Sequence, residues 1–183
     1  MKPADANTHL ETRTEIFRIA KRLVPCLDSL GPLTFLGDPV SVPQRRNWID
    51  SVWQPILSPA FQKSCSPGQS GHREWLRLDR EIDSHLAGPL AKSSRSAGLH
   101  LASHIHAPDG EPQLAKLLHD IRQGTTPGHF AIVFAARASS FHIPATISRA
   151  ALIFLEMRAA PIDQLWPIVE ECVSATPEKI LAA

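Results

Sequence analysis

Apolar residues recur every three or four positions along most of this chain, which is the spacing of one face of an α-helix. The first such segment runs from about residue 8 to residue 24, where Pro25 is placed to end it. The same spacing predicts further helices over residues 44–57, 72–86, 89–106, 111–123, 127–141, 145–157 and 162–173. Strand-like alternation is not evident. The pattern therefore predicts an all-α, single-domain bundle of about eight helices.

Proline, glycine and serine mark the predicted connections. Residues 31–43 are rich in helix breakers and predict a loop with one short extended piece at residues 33–35. Pro55 and Ser58-Pro59 mark the predicted end of the second helix. Residues 64–71 have the composition of a flexible loop, and a short tail follows from residue 177. A chain of 183 residues is expected to form one domain with these loops at its surface.

The segment 127–141 is apolar on almost every side. Phe130 and Phe134 lie on one face, and alanines cover much of another. A helix with this pattern is surrounded by other helices, so we expect it to be the central one. Arg137 falls on the apolar face and should need a carboxylate or carbonyl partner.

Gly128 and His129 stand where this apolar helix begins. Free backbone N–H groups make the field positive in the first turn of a helix, which disfavours a protonated imidazole. We therefore expect His129 to be a neutral, structural histidine with a hydrogen bond from its side chain.

Composition narrows the class of protein. The formal net charge is +1, and the basic residues are scattered, so no nucleic-acid or membrane partner is predicted. Cys26, Cys65 and Cys172 lack paired spacing, which predicts reduced thiols and a cytoplasmic location. The polar N-terminus lacks a secretory pattern, and no apolar run reaches the roughly 18–20 residues of a membrane helix.

His100, His104 and His106 form the densest histidine group. His100 and His104 are four residues apart on one helix face and could hold an ion of the nickel or zinc type with a third ligand. No carboxylate follows at the spacing of a zinc protease, so a solvated helix face is the favoured interpretation. We predict no bound metal or cofactor and keep His100 and His104 as weak candidates.

The pair His119-Asp120 supports an alternative function. It resembles the core of the HD-type metal-dependent phosphohydrolases, in which an adjacent histidine and aspartate bind a metal together with two distant ligands. His100 or His104 would then be the upstream histidine, and Asp163 the late aspartate. A helical interaction module of an unrelated kind is a further alternative.

Several pieces of the chain occur in the order and spacing typical of one family. They are the leucine–aspartate segment 78–83, the pair Ser94 and Gly98, and the segment 124–134 with Gly128-His129; Arg158, Pro161 and Gln164 extend the similarity. Over residues 72–164 the chain resembles the UreF family of urease accessory proteins.

This resemblance implies an adaptor without catalytic residues. Members of the family join a second accessory protein, UreH or UreD, and recruit the GTPase UreG, which delivers nickel to apo-urease. They are often dimeric, so the resemblance is also compatible with a homodimer of this chain. The GTPase must be another chain, because no GxxxxGK[ST] phosphate loop occurs in this sequence. On this interpretation Gly128, His129, Ser94 and Gly98 are structural landmarks.

Trp166 and Arg158 are the predicted partner contacts. Tryptophan is over-represented among the residues that dominate binding energy at interfaces, and Trp166 lies just before Pro167 near the end of the chain. Arg158 belongs to the arginine-containing stretch that resembles the family.

Overall fold

The computed structural model describes residues 3–29, 42–66, 68, 70–158 and 162–174. Within these ranges the chain is helical and contains no strand, which confirms the predicted all-α class. The helices are α1 (Pro3–Leu23), α2 (Val42–Trp48), α3 (Ser58–Cys65), α4 (His72–His85), α5 (Gly88–His104), α6 (Pro112–Arg122), α7 (Phe130–Ser140), α8 (Ala145–Glu156) and α9 (Ile162–Ser174). The extended piece predicted at residues 33–35, the loop around it up to residue 41 and the C-terminal tail lie outside the described residues.

The second helix continues past its predicted end. α2 leads directly into a π-helical segment, Ile49–Leu57, and this leads directly into α3. Pro55 has no N–H to donate and would disrupt an α-helix at this point, but it lies within the wider π turn. The N–H of Ser58 bonds to the carbonyl of Trp53, five residues earlier. The prediction that Pro55 and Ser58-Pro59 end the helix was wrong, because the π segment accommodates Pro55 and Pro59 is tolerated in the first turn of α3.

The other predicted boundaries lie close to the observed ones, except at two helix starts. α1 begins at Pro3, earlier than predicted, and α7 begins at Phe130, so residues 127–129 form the turn before it. Ser64 and Cys65 belong to α3, and the connection to α4 therefore covers residues 66–71. That this connection is flexible stays a prediction.

α7 is the centre of the bundle. Residues 130–138 and Ser140 are buried, and the helix contacts α1, α3, α4, α5, α6 and α8. α1 and α9 both pack on α8, and α1 also contacts α7. The all-round apolar pattern of α7 is explained by these neighbours, and the predicted central position is confirmed. None of the described helices combines the length and the hydrophobicity needed to cross a lipid bilayer.

Arg137 is buried within this centre, as its place on the apolar face predicted. Its Nη2 atom donates to the backbone carbonyl of Arg22 at 3.4 Å, and its guanidinium lies 5.3 Å from the centre of the Phe141 ring. A backbone carbonyl is one of the two kinds of partner expected from the sequence. Burial lowers the pKa of Arg137, an effect that the neighbouring Cys26 opposes.

Glu156, the last residue of α8, is also buried. Burial raises the pKa of its carboxyl group from 4.5 to about 8, against the opposing effect of Arg158. Between these two values the folded chain holds a proton that the unfolded chain has released. The contribution of Glu156 to stability is therefore full below pH 4.5 and is lost as the pH rises towards 8.

The variant Glu156→Gln, which stays neutral at every pH, is expected to remove this loss. The free energy of unfolding of the wild type should fall relative to that of the variant by at most about 1.4 kcal/mol per pH unit between pH 5 and 8. Urea denaturation at several pH values measures the difference. Glu111→Gln, which changes a less buried carboxylate before α6, is the control and should leave the slope unchanged. If the free energy of unfolding changed with pH equally in the wild type and in Glu156→Gln, the raised pKa of Glu156 would be contradicted.

Candidate functional site

The turn before α7 is held by a buried carboxylate from α4. Asp79 has no exposed surface. Its Oδ2 atom accepts hydrogen bonds from the hydroxyl of Thr126 and from the N–H of Gly128, both at 2.7 Å. Its Oδ1 atom accepts from the N–H of His129 at 2.7 Å. Backbone N–H groups at the start of a helix attract negative charge, so Asp79 stabilises this helix start from a distant part of the chain.

Gly98 lets α5 pass directly against the same turn. A Cβ atom at this position would lie 1.8 Å from the carbonyl oxygen of Gly128 and 2.9 Å from the nitrogen of Phe130. Gly128 itself has φ +74°, a conformation that favours glycine, and its own Cβ would meet the Ile121 side chain at 2.7 Å. Glycine at position 98 therefore follows from the close approach of two backbones, and glycine at position 128 follows from its backbone conformation and from the nearby Ile121 side chain.

His129 is the N-cap residue of α7, with extended backbone angles, and its ring is completely buried. Its Nε2 atom lies 3.1 Å from Oδ1 of Asp83, and its Nδ1 atom lies 3.1 Å from Oγ of Ser94. An ionised carboxylate can only accept, so Nε2 carries the hydrogen and the Ser94 hydroxyl donates to Nδ1. The ring thus links α4, α5 and the start of α7.

The neutral form predicted for His129 agrees with its surroundings, although the main cause differs from the predicted one. Burial lowers the pKa of the imidazole, while Asp79 and Asp83 act to raise it and Arg95 to lower it. Removal from water, and not the field of the helix, is the largest effect. The partners of the ring come from α4 and α5 and could not be read from the local sequence.

Ser94, His129 and Asp83 together have the residue types of a hydrolase triad. In such a triad the serine must reach a substrate carbonyl while the histidine takes its proton. The ring of His129 has no exposed surface, and both its nitrogens are engaged between helices. In this conformation the three residues join helices and give a substrate no access to the histidine.

Asp79, Ser94, Gly98, Gly128 and His129 make up what we call the α7 junction. The sequence indicated all of these residues through the family resemblance, and the structure brings them together. Sequence reasoning missed the roles of Asp83 and Thr126. For Asp83 a signal existed, because it lies one helical turn after Asp79 and therefore on the same face of α4.

The weak metal candidates His100 and His104 lie beside a third potential ligand, Cys26, which the sequence analysis missed. One ring nitrogen of each histidine and the sulfur of Cys26 all lie within 4.8 Å of one another. No spacing rule links a cysteine to histidines so far along the chain. Among the described residues His106 is exposed and does not belong to this group.

The residues of the phosphohydrolase alternative are not assembled in the part of the chain that is described. His119 is exposed, and Oδ2 of Asp120 lies 2.6 Å from Nε2 of His72. The three-ligand group found among the described side chains contains His100 and His104 but neither His119 nor Asp120. The side chain of Asp163 lies outside the described residues.

Trp166 is half-buried on α9 and belongs to a row of aromatic rings. It stacks on Phe154 of α8 with ring centres 5.5 Å apart, and the guanidinium of Arg13 lies 5.2 Å from its ring centre. Phe17 of α1 packs edge-on against Phe154 and stays 42% exposed. We call Phe17, Phe154 and Trp166 the aromatic face. The other three tryptophans, Trp48, Trp53 and Trp75, are buried.

Arg158, the second predicted partner contact, lies in the turn after α8 and is half-buried. Burial lowers the pKa of its guanidinium, and the negative charge of Glu156 opposes this effect. Its role in partner binding stays a prediction.

Comparison with known proteins gave no match to this chain. No family model matches it, and neither a curated protein nor a solved structure does. Membership of a family is therefore a proposal that depends on the residues of the α7 junction.

Proposed function

We propose that this chain is a UreF-like adaptor in the nickel-dependent maturation of urease, acting in the cytoplasm. The observation that carries the proposal is the convergence of the α7 junction. Three of the stretches that carry the family resemblance are residues 78–83, 94–98 and 124–134, and residues of these three meet at the start of the central helix. Chance matches would be scattered over the surface, whereas residues with a shared architectural role are expected to meet.

The chemistry of the α7 junction supports a structural role of its residues in an adaptor, and not a catalytic role. Asp79 and His129 are buried, and their hydrogen bonds fix the arrangement of α4, α5 and α7. Binding then depends on surfaces. The aromatic face offers rings that are half-exposed beside the cation of Arg13, a combination typical of interface hot spots. In this proposal UreH or UreD docks on the aromatic face, and the complex recruits UreG to apo-urease.

The test is co-purification of the tagged chain with UreH or UreD and UreG homologues from its own source. We expect a complex, and we expect Phe17→Ala or Trp166→Ala to weaken it about tenfold or more. Leu99→Ala is the matched control, because Leu99 is 44% exposed on α5 against 42% for Phe17. Circular dichroism verifies that each variant is folded. Wild-type chain that binds none of these proteins would overturn the proposal.

The same preparation also tests the phosphohydrolase alternative. Metal-dependent phosphatase activity that disappears with His119→Ala or Asp120→Ala would replace the adaptor with an enzyme. We expect no such activity.

A further inference from the structure

The turn after α1 and the last part of α5 bring one thiol and two imidazoles together. Cys26 lies three residues after the end of α1, while His100 and His104 are one turn apart on α5. The two rings have their centres 4.2 Å apart, and one ring nitrogen of each histidine and the Cys26 sulfur all lie within 4.8 Å of one another. Two elements that are distant in sequence thus present three potential metal ligands at one point.

The hydrogen bonds around the two imidazoles suit metal ligands. Ser29 donates its hydroxyl hydrogen to the carbonyl of Cys26 at 3.0 Å, so its oxygen is left to accept from Nε2 of His100, also at 3.0 Å. Nδ1 of His104 donates to the carbonyl of His100 at 2.8 Å. Each ring therefore has one N–H held by a protein oxygen, and the other nitrogen carries the lone pair that a metal requires. Ligating histidines are commonly oriented in this way by their second nitrogen.

The distances between the three potential ligand atoms are close to those of a tetrahedral metal site. Metal–nitrogen bonds of about 2.0–2.1 Å and metal–sulfur bonds of about 2.3 Å place neighbouring ligand atoms roughly 3.3–3.6 Å apart. The present separations, up to 4.8 Å, close to this range by small side-chain rotations. His104 is exposed and His100 half-buried, so an ion can enter from solvent and keep a fourth position open.

The ligand types of the group suit a divalent ion. Cys26 is a free thiol. A bound divalent ion replaces the thiol hydrogen, which leaves as a proton to solvent, and the resulting thiolate neutralises half of the ionic charge. Neutral imidazoles complete a ligand set of one sulfur and two nitrogens, which suits borderline metals and not magnesium or calcium.

We propose that Cys26, His100 and His104 form a binding site for a divalent ion of the zinc and nickel type. The site ties the turn after α1 to α5 and leaves one coordination position for water or for a ligand from a partner. It does not depend on the adaptor proposal, because a metal site of this kind can exist whatever the partners of the chain are.

The experiment titrates the reduced, chelator-treated full chain with Co²⁺, which reports thiolate ligation by a charge-transfer band in the near ultraviolet. We expect one equivalent to bind with this band and with the visible absorption of tetrahedral cobalt, and we expect Zn²⁺ or Ni²⁺ to displace it. Cys26→Ser should abolish the charge-transfer band. His100→Ala and His104→Ala should each weaken binding about tenfold or more.

His106→Ala and Cys65→Ala are the matched controls, because they remove a nearby histidine and another free cysteine that lie outside the group. Both should bind Co²⁺ as the wild type does. If Cys26→Ser does not fold, alkylation of the wild type gives a second measurement: Zn²⁺ should slow the reaction of Cys26 with iodoacetamide and leave the alkylation rate of Cys65 unchanged. A wild type without a charge-transfer band, or a band that survives Cys26→Ser, would overturn the proposal.

Discussion

Gly98→Ala is expected to destabilise the protein severely, although the same change stabilises most helices. Alanine exceeds glycine in helix propensity by about 1 kcal/mol, and Gly98 lies inside α5. Here the added Cβ would lie 1.8 Å from the carbonyl oxygen of Gly128, and the other close atoms are backbone too. No flexible side chain can move aside, so α5 must separate from the turn before α7. We expect a loss of about 3 kcal/mol or more in the free energy of unfolding.

Urea denaturation followed by tryptophan fluorescence measures this loss. Ser96→Ala is the control, since Ser96 is exposed on the same helix two residues earlier. It should be neutral or slightly stabilising, as helix propensity alone predicts. A Gly98→Ala variant as stable as Ser96→Ala would mean that α5 does not pass against the turn as closely as described.

The helices could be predicted from sequence because burial imposes a period on apolar residues. The one large error, at Pro55 and Ser58-Pro59, arose where a rule about single residues competed with burial. Trp53 and Leu57 are almost completely buried, and their packing favours a continuous helix. The π segment accommodates the proline within it. A proline therefore does not end a helix where burial of the neighbouring side chains stabilises the next helical turn.

The residues of the α7 junction could be indicated from sequence, but their contacts could not. The two residues joined by the Asp79–His129 hydrogen bond are 50 positions apart, and nothing in either segment specifies the other. The resemblance indicated which positions matter, and the structure supplied the reasons: a carboxylate that accepts three hydrogen bonds and a glycine without room for a Cβ.

The group around His100 illustrates the opposite case. Two ligands at helical spacing were visible in the sequence, and the third was not. Cys26 reaches them because α1 packs on α8 and α7, which places the turn after α1 next to α5. Only the tertiary arrangement contains that information, so a search for ligand spacing could not find it.

Asp79→Ala should have an effect as large as that of Gly98→Ala, for an electrostatic reason. The change leaves the hydroxyl of Thr126 and the N–H groups of Gly128 and His129 buried without their acceptor. Hydrogen bonds to a charged group contribute about 1.5–3 kcal/mol each, and their sum is not additive. We expect the free energy of unfolding to fall by about 3–5 kcal/mol. Amide hydrogen exchange at Gly128 and His129 should become faster.

Asp79→Asn removes the negative charge of the side chain but keeps its shape. The amide keeps one acceptor oxygen, but its NH₂ group must face at least one of the three donors, so we expect a loss of about 2–3 kcal/mol. Asp83→Asn is the matched control on the same helix. The Asp83 side chain is 34% exposed and accepts from Nε2 of His129, a role that the amide oxygen can keep. Asp83→Asn should lower the free energy of unfolding by less than about 1 kcal/mol, since the Asp83 side chain is partly exposed to water. If Asp79→Asn costs no more than Asp83→Asn, the negative charge at Asp79 does not hold the start of α7, and the junction depends on shape alone.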